Sequence, residues 1–292
     1  MSHKSGFVNI LGNPNVGKST IMNALVGENL SIITSKVQTT RHRIIGIVSG
    51  SDFQIVFSDT PGILKPKYKL QESMMNSVNV AVTDADIILC VTDVLGSADK
   101  EGEYMERIKN AGVPVIIVVN KIDLTDQASL EKIVDSWYRS FPASDIIPVS
   151  ALKRFNIEVL LRSILEKLPE GEAYFPKDQL TDRHERFFAS EIIREKILIN
   201  YSKEIPYCVE IEIESFTEEK NRSCIRAIIH TSRESQKGIL IGHKGQMLKK
   251  VGTEARKEME DFFGRKIFLE LYVKVTKDWR NKPLILKRFG YR

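Results

Sequence analysis

The stretch GNPNVGKS, residues 12–19, decides the fold of the first half of this chain. It follows the pattern G-x-x-x-x-G-K-[ST], whose glycines let the backbone turn tightly and present its N–H groups to phosphate oxygens. The strand-like run FVNIL (7–11) precedes it, and residues 19–26 are compatible with a helix. Because the pattern binds phosphate in this strand-loop-helix context, we predict a phosphate-binding loop. Its members are Gly12, Asn13, Pro14, Asn15, Val16, Gly17, Lys18, Ser19 and Thr20.

The last side chains of this loop have distinct expected roles. Lys18 places a positive charge beside the β- and γ-phosphates of a nucleotide, and the Ser19 hydroxyl can ligate Mg²⁺. The helix that follows directs the positive end of its dipole at the anion. The alternative is an ordinary glycine turn with no ligand.

The rest of residues 1–170 alternates between strand-like and helix-like segments. Most of the candidate strands are almost continuously apolar, which is typical of strands buried on both faces of a sheet. They are residues 7–11, 53–57, 87–94, 113–120 and 146–150, and the candidate helices are 19–26, 70–83, 98–111, 128–140 and 156–168. Asn156 is the expected N-cap of the last helix. The alternation predicts an α/β domain with a doubly wound, mainly parallel sheet, in which ligands bind at the carboxyl ends of the strands.

The segment DTPGI (59–63) stands where the second candidate strand ends. A carboxylate at this place, Asp59, can hold a metal ion through water, and the Gly62 N–H can contact a γ-phosphate. We therefore predict a nucleotide-sensing segment made of Asp59, Thr60, Pro61, Gly62 and Ile63.

The segment NKID (120–123) stands where the fourth candidate strand ends. An Asp carboxylate at position 123 can accept hydrogen bonds from N1–H and the 2-amino group of guanine, donors that adenine lacks in this arrangement. Asn120 can anchor the base and the neighbouring loop, and the stem of Lys121 can cover the ring. SAL (Ser150, Ala151, Leu152) ends the last strand, where a backbone N–H can reach the guanine O6. The alternative for NKID is an Asn-capped turn.

In this order, GNPNVGKS, a Thr-containing loop, DTPG, NKID and SAL resemble the translation-factor-like GTPases. The resemblance implies GTP binding with Mg²⁺ and hydrolysis of the β–γ phosphoanhydride. It also implies that one Thr of the loop SIITSKVQTTRHR (31–43) ligates the metal only in the GTP state. Thr40 is the better match, and Thr39 is the alternative.

Ile63 constrains the mechanism, because Ras-like members of this class carry a Gln at the corresponding position to orient the attacking water. An isoleucine can neither donate nor accept a hydrogen bond. Either GTP hydrolysis is very slow, or another group orients the attacking water and neutralises charge. In GTPases that share the PNxGK form of the loop, the residue matching Asn15 helps to hold K⁺ near the phosphates. The alternative is that Asn15 only stabilises the turn.

The second half of the chain differs from the first in charge. Residues 1–178 carry 19 Lys and Arg against 21 Asp and Glu, and the remainder carries 24 against 17, a net +7. Such an excess favours a polyanionic partner. Residues 171–182, with Pro, Gly and mixed charge, are predicted to be a linker between a first domain at 1–170 and a second at 183–292. The second domain has the expected order helix 183–201, strand 207–216, strand 222–232, helical segments within 235–264 and strand 266–275.

The sequence GHKG (242–245) lies between two apolar helical segments of this second domain. A G-x-x-G turn lets two helix ends approach closely, so that N–H groups and a basic side chain can clamp a sugar-phosphate backbone. Together with the order of elements, it resembles a type II KH domain. The predicted RNA-binding residues are Ile241, Gly242, His243, Lys244, Gly245, Lys249, Lys250 and Lys257. The alternative for GHKG is a structural turn with solvated lysines. The aromatic residues of the basic tail (276–292) either stack on RNA bases or pack against the domain.

A GTPase domain of this form followed by one type II KH domain resembles the Era family of bacterial GTPases. QTTRHR (38–43), ASEIIREK (189–196) and LELYVKV (269–275) carry the match outside the motifs above. The resemblance implies binding of the 3′ end of 16S rRNA, a role in assembly of the small (30S) ribosomal subunit, a monomer in the cytoplasm, and weak peripheral association with the inner membrane. The chain departs from the family at Asn13, where a basic residue is usual.

Two alternatives of function remain open at this point: a GTP-gated scaffold or signalling protein, and a GTPase that acts on another RNA. The intact G-x-x-G turn and the basic second half oppose the scaffold. The three cysteines are widely spaced and lie in apolar runs, so we expect free thiols in a reducing compartment.

Overall fold

The computed structural model describes residues 3–96 and 102–291, in two compact units. The first unit comprises Met1–Pro66 and Met74–Asp182, and the second comprises Lys67–Ser73 and Arg183–Arg292. Within the described ranges, no helix is long and apolar enough to cross a lipid bilayer.

A six-stranded sheet of order β2-β3-β1-β4-β5-β6 forms the centre of the first unit among the residues described. Its strands are β1 (Lys4–Gly12), β2 (Ile44–Ser49), β3 (Phe53–Asp59), β4 (Ile87–Asp93), β5 (Val115–Asn120) and β6 (Asp145–Pro148). All neighbouring strands are parallel except β2 and β3. The prediction of a doubly wound, mainly parallel sheet is confirmed.

The helices of this unit are α1 (Lys18–Val26), α3 (Glu103–Lys109), α4 (Gln127–Ser140), α5 (Ile157–Lys167) and, from Met74 onward, α2 (Lys69–Thr83). Each overlaps a predicted helix, although residues 98–101 of the predicted segment 98–111 lie outside the described residues. The prediction missed the antiparallel edge strand β2. Its sequence, IIGIVS, follows a long irregular loop and contains Gly46, which weakens a strand signal.

Asn156 is the N-cap residue of α5, as predicted, but its side chain does not cap the helix. Its backbone is left-handed with φ of 59°, and its side chain makes no capping hydrogen bond to the helix. Its Nδ2 donates instead to the carbonyl oxygen of Pro148, at 2.9 Å. The residue therefore ties the start of α5 to the end of β6.

Residues 171–182, predicted to be a linker, are grouped with the first unit and pack on its edge. The side chain of Gln54, fully buried in β3, accepts hydrogen bonds from the N–H groups of Tyr174 and Phe175 and donates to the Phe175 carbonyl. Further along, Ile47 N donates to the Leu180 carbonyl at 2.8 Å. We call residues 172–181 the strap.

The second unit has a three-stranded sheet of order β7-β8-β9 with helices packed on it. Its elements are α6 (Glu185–Asn200), α7 (Ile205–Cys208), β7 (Glu210–Glu219), β8 (Arg222–Thr231), α8 (Glu234–Ile241), α9 (Gln246–Phe263), β9 (Lys266–Val275) and α10 (Pro283–Arg288). β7 and β8 are antiparallel, whereas β8 and β9 are parallel. This is the predicted order of elements, with the GHKG turn between α8 and α9.

Val209 and Ile211 at the start of β7 are buried and Glu214 is exposed, but the acidic residue between the two apolar ones is not in solvent. Glu210 is buried and accepts a hydrogen bond from the Tyr291 hydroxyl at 2.7 Å. Trp279 is fully buried, and its Nε1 donates to the Cys208 carbonyl at 3.0 Å. The aromatic residues Trp279 and Tyr291 of the tail therefore pack within the unit. Cys90, Cys208 and Cys224 are free thiols, of which Cys224 is partly exposed.

Candidate functional site

A cavity of about 610 Å³ opens at the carboxyl ends of the parallel strands of the first unit. Segments that the sequence singled out separately meet in its wall. The lining residues are Pro14, Asn15, Gly17, Lys18, Ser19, Thr20, Ile32, Ile33, Thr34, Ser35, Gln38, Thr39, Thr40, Gly62, Leu95, Asn120, Lys121, Asp123, Leu124 and Leu152. A volume of this size is in the range of sites that hold a ligand as large as a nucleotide.

The two glycines of the phosphate-loop pattern are required by close contacts. A Cβ atom on Gly12 would lie 2.2 Å from the Val91 carbonyl oxygen, and one on Gly17 would lie 2.2 Å from Asn120 Nδ2. Both residues also have positive φ values, of 151° and 95°. The loop therefore runs directly against the ends of β4 and β5, where a side chain has no room.

Lys18 is buried inside the loop and its Nζ donates to the carbonyl oxygens of Gly12 and Asn13, at 3.0 and 2.9 Å. Burial lowers the pKa of its ammonium group to about 8, and the nearby Asp59 carboxylate partly opposes this shift. A buried cation held only by carbonyl oxygens is poorly compensated. Phosphate oxygens in the cavity would supply the missing negative charge.

Ser19, Thr40 and Asp59 form a compact oxygen cluster. Ser19 Oγ donates to Asp59 Oδ2 at 2.6 Å and lies 2.9 Å from Thr40 Oγ1, which donates to the same carboxylate oxygen at 3.2 Å. Within residues 3–96 and 102–291, the other oxygen, the buried Asp59 Oδ1, makes no hydrogen bond of regular geometry, although the nearby Ser31 hydroxyl helps to lower the pKa of the carboxyl group. Burial raises the pKa of this carboxyl group, and Lys18 partly opposes that shift. One carboxylate and two hydroxyls are hard oxygen donors that suit Mg²⁺.

The structure distinguishes between the two threonines that the sequence left open. Thr40 is buried in the oxygen cluster. Thr39 faces the loop itself, where its Oγ1 contacts Thr34 Oγ1 at 2.7 Å and donates to the Lys36 carbonyl at 2.6 Å. Of the two threonines, Thr40 is the one that contacts Ser19 and Asp59.

The segment 59–63 lies against the phosphate loop. A Cβ atom on Gly62 would lie 2.7 Å from the Cα atom of Pro14, and the Ile63 N–H donates to the Gly12 carbonyl at 3.2 Å. Thr60 is buried, and its hydroxyl donates to the Ile10 carbonyl at 2.7 Å. Ile63 contributes a backbone contact here, and its side chain has no polar group to offer a water molecule.

Asn120 and Lys121 link the phosphate loop to the other walls of the cavity. Asn120 Nδ2 donates to the Val16 carbonyl at 2.9 Å, and its Oδ1 accepts from the Ala151 N–H at 3.1 Å. Lys121 Nζ donates to the Asn15 carbonyl at 2.7 Å and pairs with Asp93 Oδ2 at 2.6 Å. The sequence reasoning missed Asp93; an acidic residue at the end of the third candidate strand was the available signal.

Asp123 is exposed at the rim, next to the SAL segment. Its Oδ1 accepts a hydrogen bond from the Ser150 hydroxyl at 2.5 Å. Ser150 is buried, which gives the carboxylate a fixed partner. Leu152 is exposed and lines the cavity. The other carboxylate oxygen, Oδ2, is thus available to a ligand without disturbing this bond.

The GHKG turn of the second unit contains three residues with positive φ. Gly242 and Gly245 have φ values of 71° and 77°, and Lys244 between them has 48°. A Cβ atom on Gly242 would lie 2.8 Å from Met247 Cβ, whereas one on Gly245 would meet nothing within 4 Å. His243 and Lys244 are exposed. The turn joins the end of α8 to the start of α9, as the motif requires.

A groove of about 380 Å³ begins at Gly245 and runs along α9 beside β9. Its lining residues are Gly245, Leu248, Lys249, Gly252, Thr253, Arg256, Leu269 and Leu271. Of the predicted lysines, Lys249 lines this groove, while Lys250 and Lys257 occupy a neighbouring stripe of the helix. Arg256, which is not among the predicted residues, also lines the groove, because it has the i+7 position relative to Lys249 and shares its face of α9.

Comparison with known proteins places the chain in a family. Residues 7–121 match the family described as 50S ribosome-binding GTPase, and residues 204–280 match the KH domain family. The chain is 46% identical to GTPase Era of Syntrophus aciditrophicus, over 99% of this chain and 95% of that protein. It is 43% identical to GTPase Era of Staphylococcus haemolyticus, over 99% of this chain and 97% of that protein. The chain belongs to the Era family of GTPases.

Solved Era structures have the same fold over the whole length. A variant of Aquifex aeolicus Era bound to GDP and aluminium fluoride superimposes with a TM-score of 0.95 at 41% identity, over 99% of each chain. The structure of Era in complex with MgGDPNP and nucleotides 1506–1542 of 16S ribosomal RNA superimposes with a TM-score of 0.94 at 40% identity, again over 99% of each chain. As a member of the Era family, this protein is a GTPase with a KH domain for RNA.

Proposed function

We propose that this protein binds the 3′ end of 16S rRNA through its KH domain and acts in assembly of the small (30S) ribosomal subunit under the control of GTP. The observation that carries the proposal is full-length similarity to the Era–16S rRNA complex together with an open groove beside the GHKG turn. The groove has an apolar floor from Leu269 and Leu271 and cationic walls from Lys249 and Arg256. Unstacked bases and their phosphates need such a combination.

Within the GTPase unit, we assign Ser19, Thr40 and Asp59 to a Mg²⁺ ion, with Asp59 acting through water. When bound, the ion would neutralise the negative charge that develops on the phosphate oxygens during transfer. The chain's own contribution is positioning: the loop N–H groups and Lys18 hold the β- and γ-phosphates, and Gly62 offers its N–H to the γ-phosphate. The buried Asp59 Oδ1, which makes no hydrogen bond of regular geometry in the described ranges, supports this assignment.

Guanine recognition is assigned to Asp123, Asn120 and the SAL segment. Asp123 accepts from N1–H and the 2-amino group, while Ser150 fixes its carboxylate. Lys121 covers the base with its stem, since its Nζ is held between the Asn15 carbonyl and Asp93. These contacts would favour GTP over ATP because adenine presents no matching donors.

The RNA target is tested by crosslinking the full-length protein to cellular RNA in the presence of a non-hydrolysable GTP analogue, followed by sequencing of the bound fragments. We expect the 3′ end of 16S rRNA to dominate. Recovery of a different RNA would overturn the 16S assignment while leaving the KH interface in place. Recovery of no RNA above the background of a Gly245→Asp variant would favour the scaffold alternative.

We further propose that K⁺ assists hydrolysis at Asn15, since Ile63 cannot orient water. Asn15 Nδ2 donates to the Ser35 carbonyl at 3.0 Å, and the side-chain carbonyl is a hard-oxygen donor suited to an alkali cation. Turnover should therefore be several-fold faster in KCl than in NaCl at equal ionic strength. The difference should vanish in Asn15→Ala and persist in Asn13→Ala, a change in the same loop. Equal rates of the unmodified protein in the two salts would refute the role of K⁺.

We also propose that the protein acts as a monomer in the cytoplasm and that its contact with the inner membrane is peripheral, weak and electrostatic. The net charge of +7 on residues 179–292 supports attraction to anionic surfaces. Free cysteines and an rRNA partner support the compartment.

A further inference from the structure

Arg43, the last residue of the loop 31–43, lies at the centre of a polar cluster in the first unit. Its Nε donates to Ser58 Oγ at 2.5 Å, one terminal nitrogen donates to Asn9 Oδ1 at 3.1 Å, and the other pairs with Asp84 Oδ2 at 2.5 Å. The Arg43 side chain is 16% exposed and that of Asp84 is 43% exposed. One guanidinium thus joins three separate segments of the chain.

The same cluster also anchors the fully buried Asn9 to the end of α2. Asn9 Nδ2 donates to the Ala81 carbonyl at 2.6 Å and to Asp84 Oδ1 at 2.8 Å. Arg43 therefore contacts β1, which leads into the phosphate loop; β3, which ends at Asp59; and, through Asp84, the chain just after α2. It follows Thr40 by three residues.

Strand register places this cluster directly next to the oxygen cluster. Asn9 and Ser58 are partners across β1 and β3, and the next pair along the same two strands is Ile10 with Asp59. On the other side of β3, Ile45 pairs with Ser58 and Ile44 with Asp59. Arg43 immediately precedes Ile44, so it fixes where the chain leaves the loop and enters β2.

A merely structural role would not need an arginine at this place. A buried or half-buried ion pair contributes little stability compared with apolar packing, whereas a planar guanidinium with several donors fixes the geometry of its partners. Metal ligands depend on such partners, because removing a hydrogen bond behind the ligand shell commonly weakens metal affinity about 10- to 100-fold.

We propose that Arg43 is a positioning residue that sets Thr40 and Asp59 in register for the metal ion of the GTPase site. This inference rests on the proposed Mg²⁺ site at Ser19, Thr40 and Asp59. Arg43 acts through Ser58 and through the path of the chain after Thr40, and not by touching the nucleotide. Its ion pair with Asp84 and its bonds to Asn9 and Ser58 occupy the guanidinium, which distinguishes this role from that of a charge-neutralising arginine.

The test compares Arg43→Gln, Arg43→Lys and Asp84→Asn in the full-length protein. Affinity for a non-hydrolysable GTP analogue is measured across a Mg²⁺ titration and again in EDTA. Asp145→Asn is the matched control, because Asp145 is 44% exposed and pairs with Lys167 beside β6, remote from the loop. Asp84→Asn keeps the test decisive if a change at Arg43 prevents folding, since Asp84 is half-exposed.

We expect the half-saturating Mg²⁺ concentration to rise about tenfold for Arg43→Gln and by less for Asp84→Asn. The value for Arg43→Lys should lie between those of Arg43→Gln and the unmodified protein. Affinity in EDTA should change less than about twofold, and Asp145→Asn should change neither value. A Mg²⁺ requirement that does not move in the variants, or affinities that fall equally with and without Mg²⁺, would overturn the inference. If the affinity of the unmodified protein for the GTP analogue does not depend on Mg²⁺, the proposed metal site itself is refuted.

Discussion

Asp123→Asn should exchange the base preference of this GTPase from guanine to xanthine. The carboxylate has only acceptor oxygens, which match the N1–H and 2-amino donors of guanine. An Asn side chain keeps one acceptor and replaces the other by an NH₂ donor. That donor opposes the 2-amino group of guanine but pairs with the 2-oxo group of xanthine.

The effect should be large, because a site built around paired hydrogen bonds rejects a mismatched group by about 10⁴ to 10⁵. We expect the ratio of GTP to XTP affinity to fall by about 10⁴ in competition binding with a fluorescent nucleotide. The bond from the Ser150 hydroxyl to Asp123 Oδ1 survives, since the Asn oxygen is still an acceptor. The side chain should therefore keep its position.

Asp126→Asn is the matched control for this change. Asp126 is exposed three residues further along, and its side chain accepts from the Ser129 N–H at 2.9 Å at the start of α4. The two substitutions remove the same charge from the same surface, so their difference reports base recognition alone. A shift of the GTP to XTP ratio below about tenfold in Asp123→Asn, or an equal shift in the control, would contradict the assignment of Asp123.

Gly245→Asp should abolish RNA binding by the KH domain while leaving the GTPase unit intact. Gly245 opens the groove, and a Cβ atom there meets nothing within 4 Å, so the new side chain can be accommodated. Its carboxylate would stand near Lys249 where an RNA phosphate is expected, and it would repel that phosphate. We expect at least about a tenfold loss of affinity for a single-stranded oligonucleotide of the 16S 3′ end, measured by fluorescence anisotropy.

Gly264→Asp provides a control with the same backbone strain. Gly264 lies past the other end of α9, has a φ of 65° and likewise offers open space to a Cβ atom. Both substitutions force an L-residue into the left-handed region, which costs about 1–2 kcal/mol each. Gly242 is a poorer choice, since its Cβ would collide with Met247. If the two variants bind RNA equally well, the groove is not the RNA site.

The sequence was sufficient where a function depends on a short, contiguous pattern. GNPNVGKS and GHKG place their glycines by local geometry, and NKID places its polar side chains in the same way. The strands and helices that flank these motifs have strong periodicity. Strands buried on both faces, such as β4 and β5, were equally clear. These segments carry most of the nucleotide cavity.

The parts of the fold and of the site that the sequence did not predict depend on partners that are distant in the chain. Arg43, Asn9 and Asp84 form one cluster, but nothing in their local sequences indicates that they meet. Asp93 gains its importance from Lys121, and Gln54 from the strap. The edge strand β2 combines a weak local signal with distant partners, since its outer hydrogen bonds go to residues 180 and 181 and not to a neighbouring strand.

The strap has a practical consequence for dissecting the molecule. A fragment cut at residue 170 would keep all six strands of the first unit but strip the outer side of β2. The Ile47 N–H, the Ile45 carbonyl and the amide oxygen of the buried Gln54 would lose their partners together. An uncovered sheet edge is a template for pairing with another chain, so such a fragment would be prone to aggregate. An isolated GTPase domain should instead extend through Asp182.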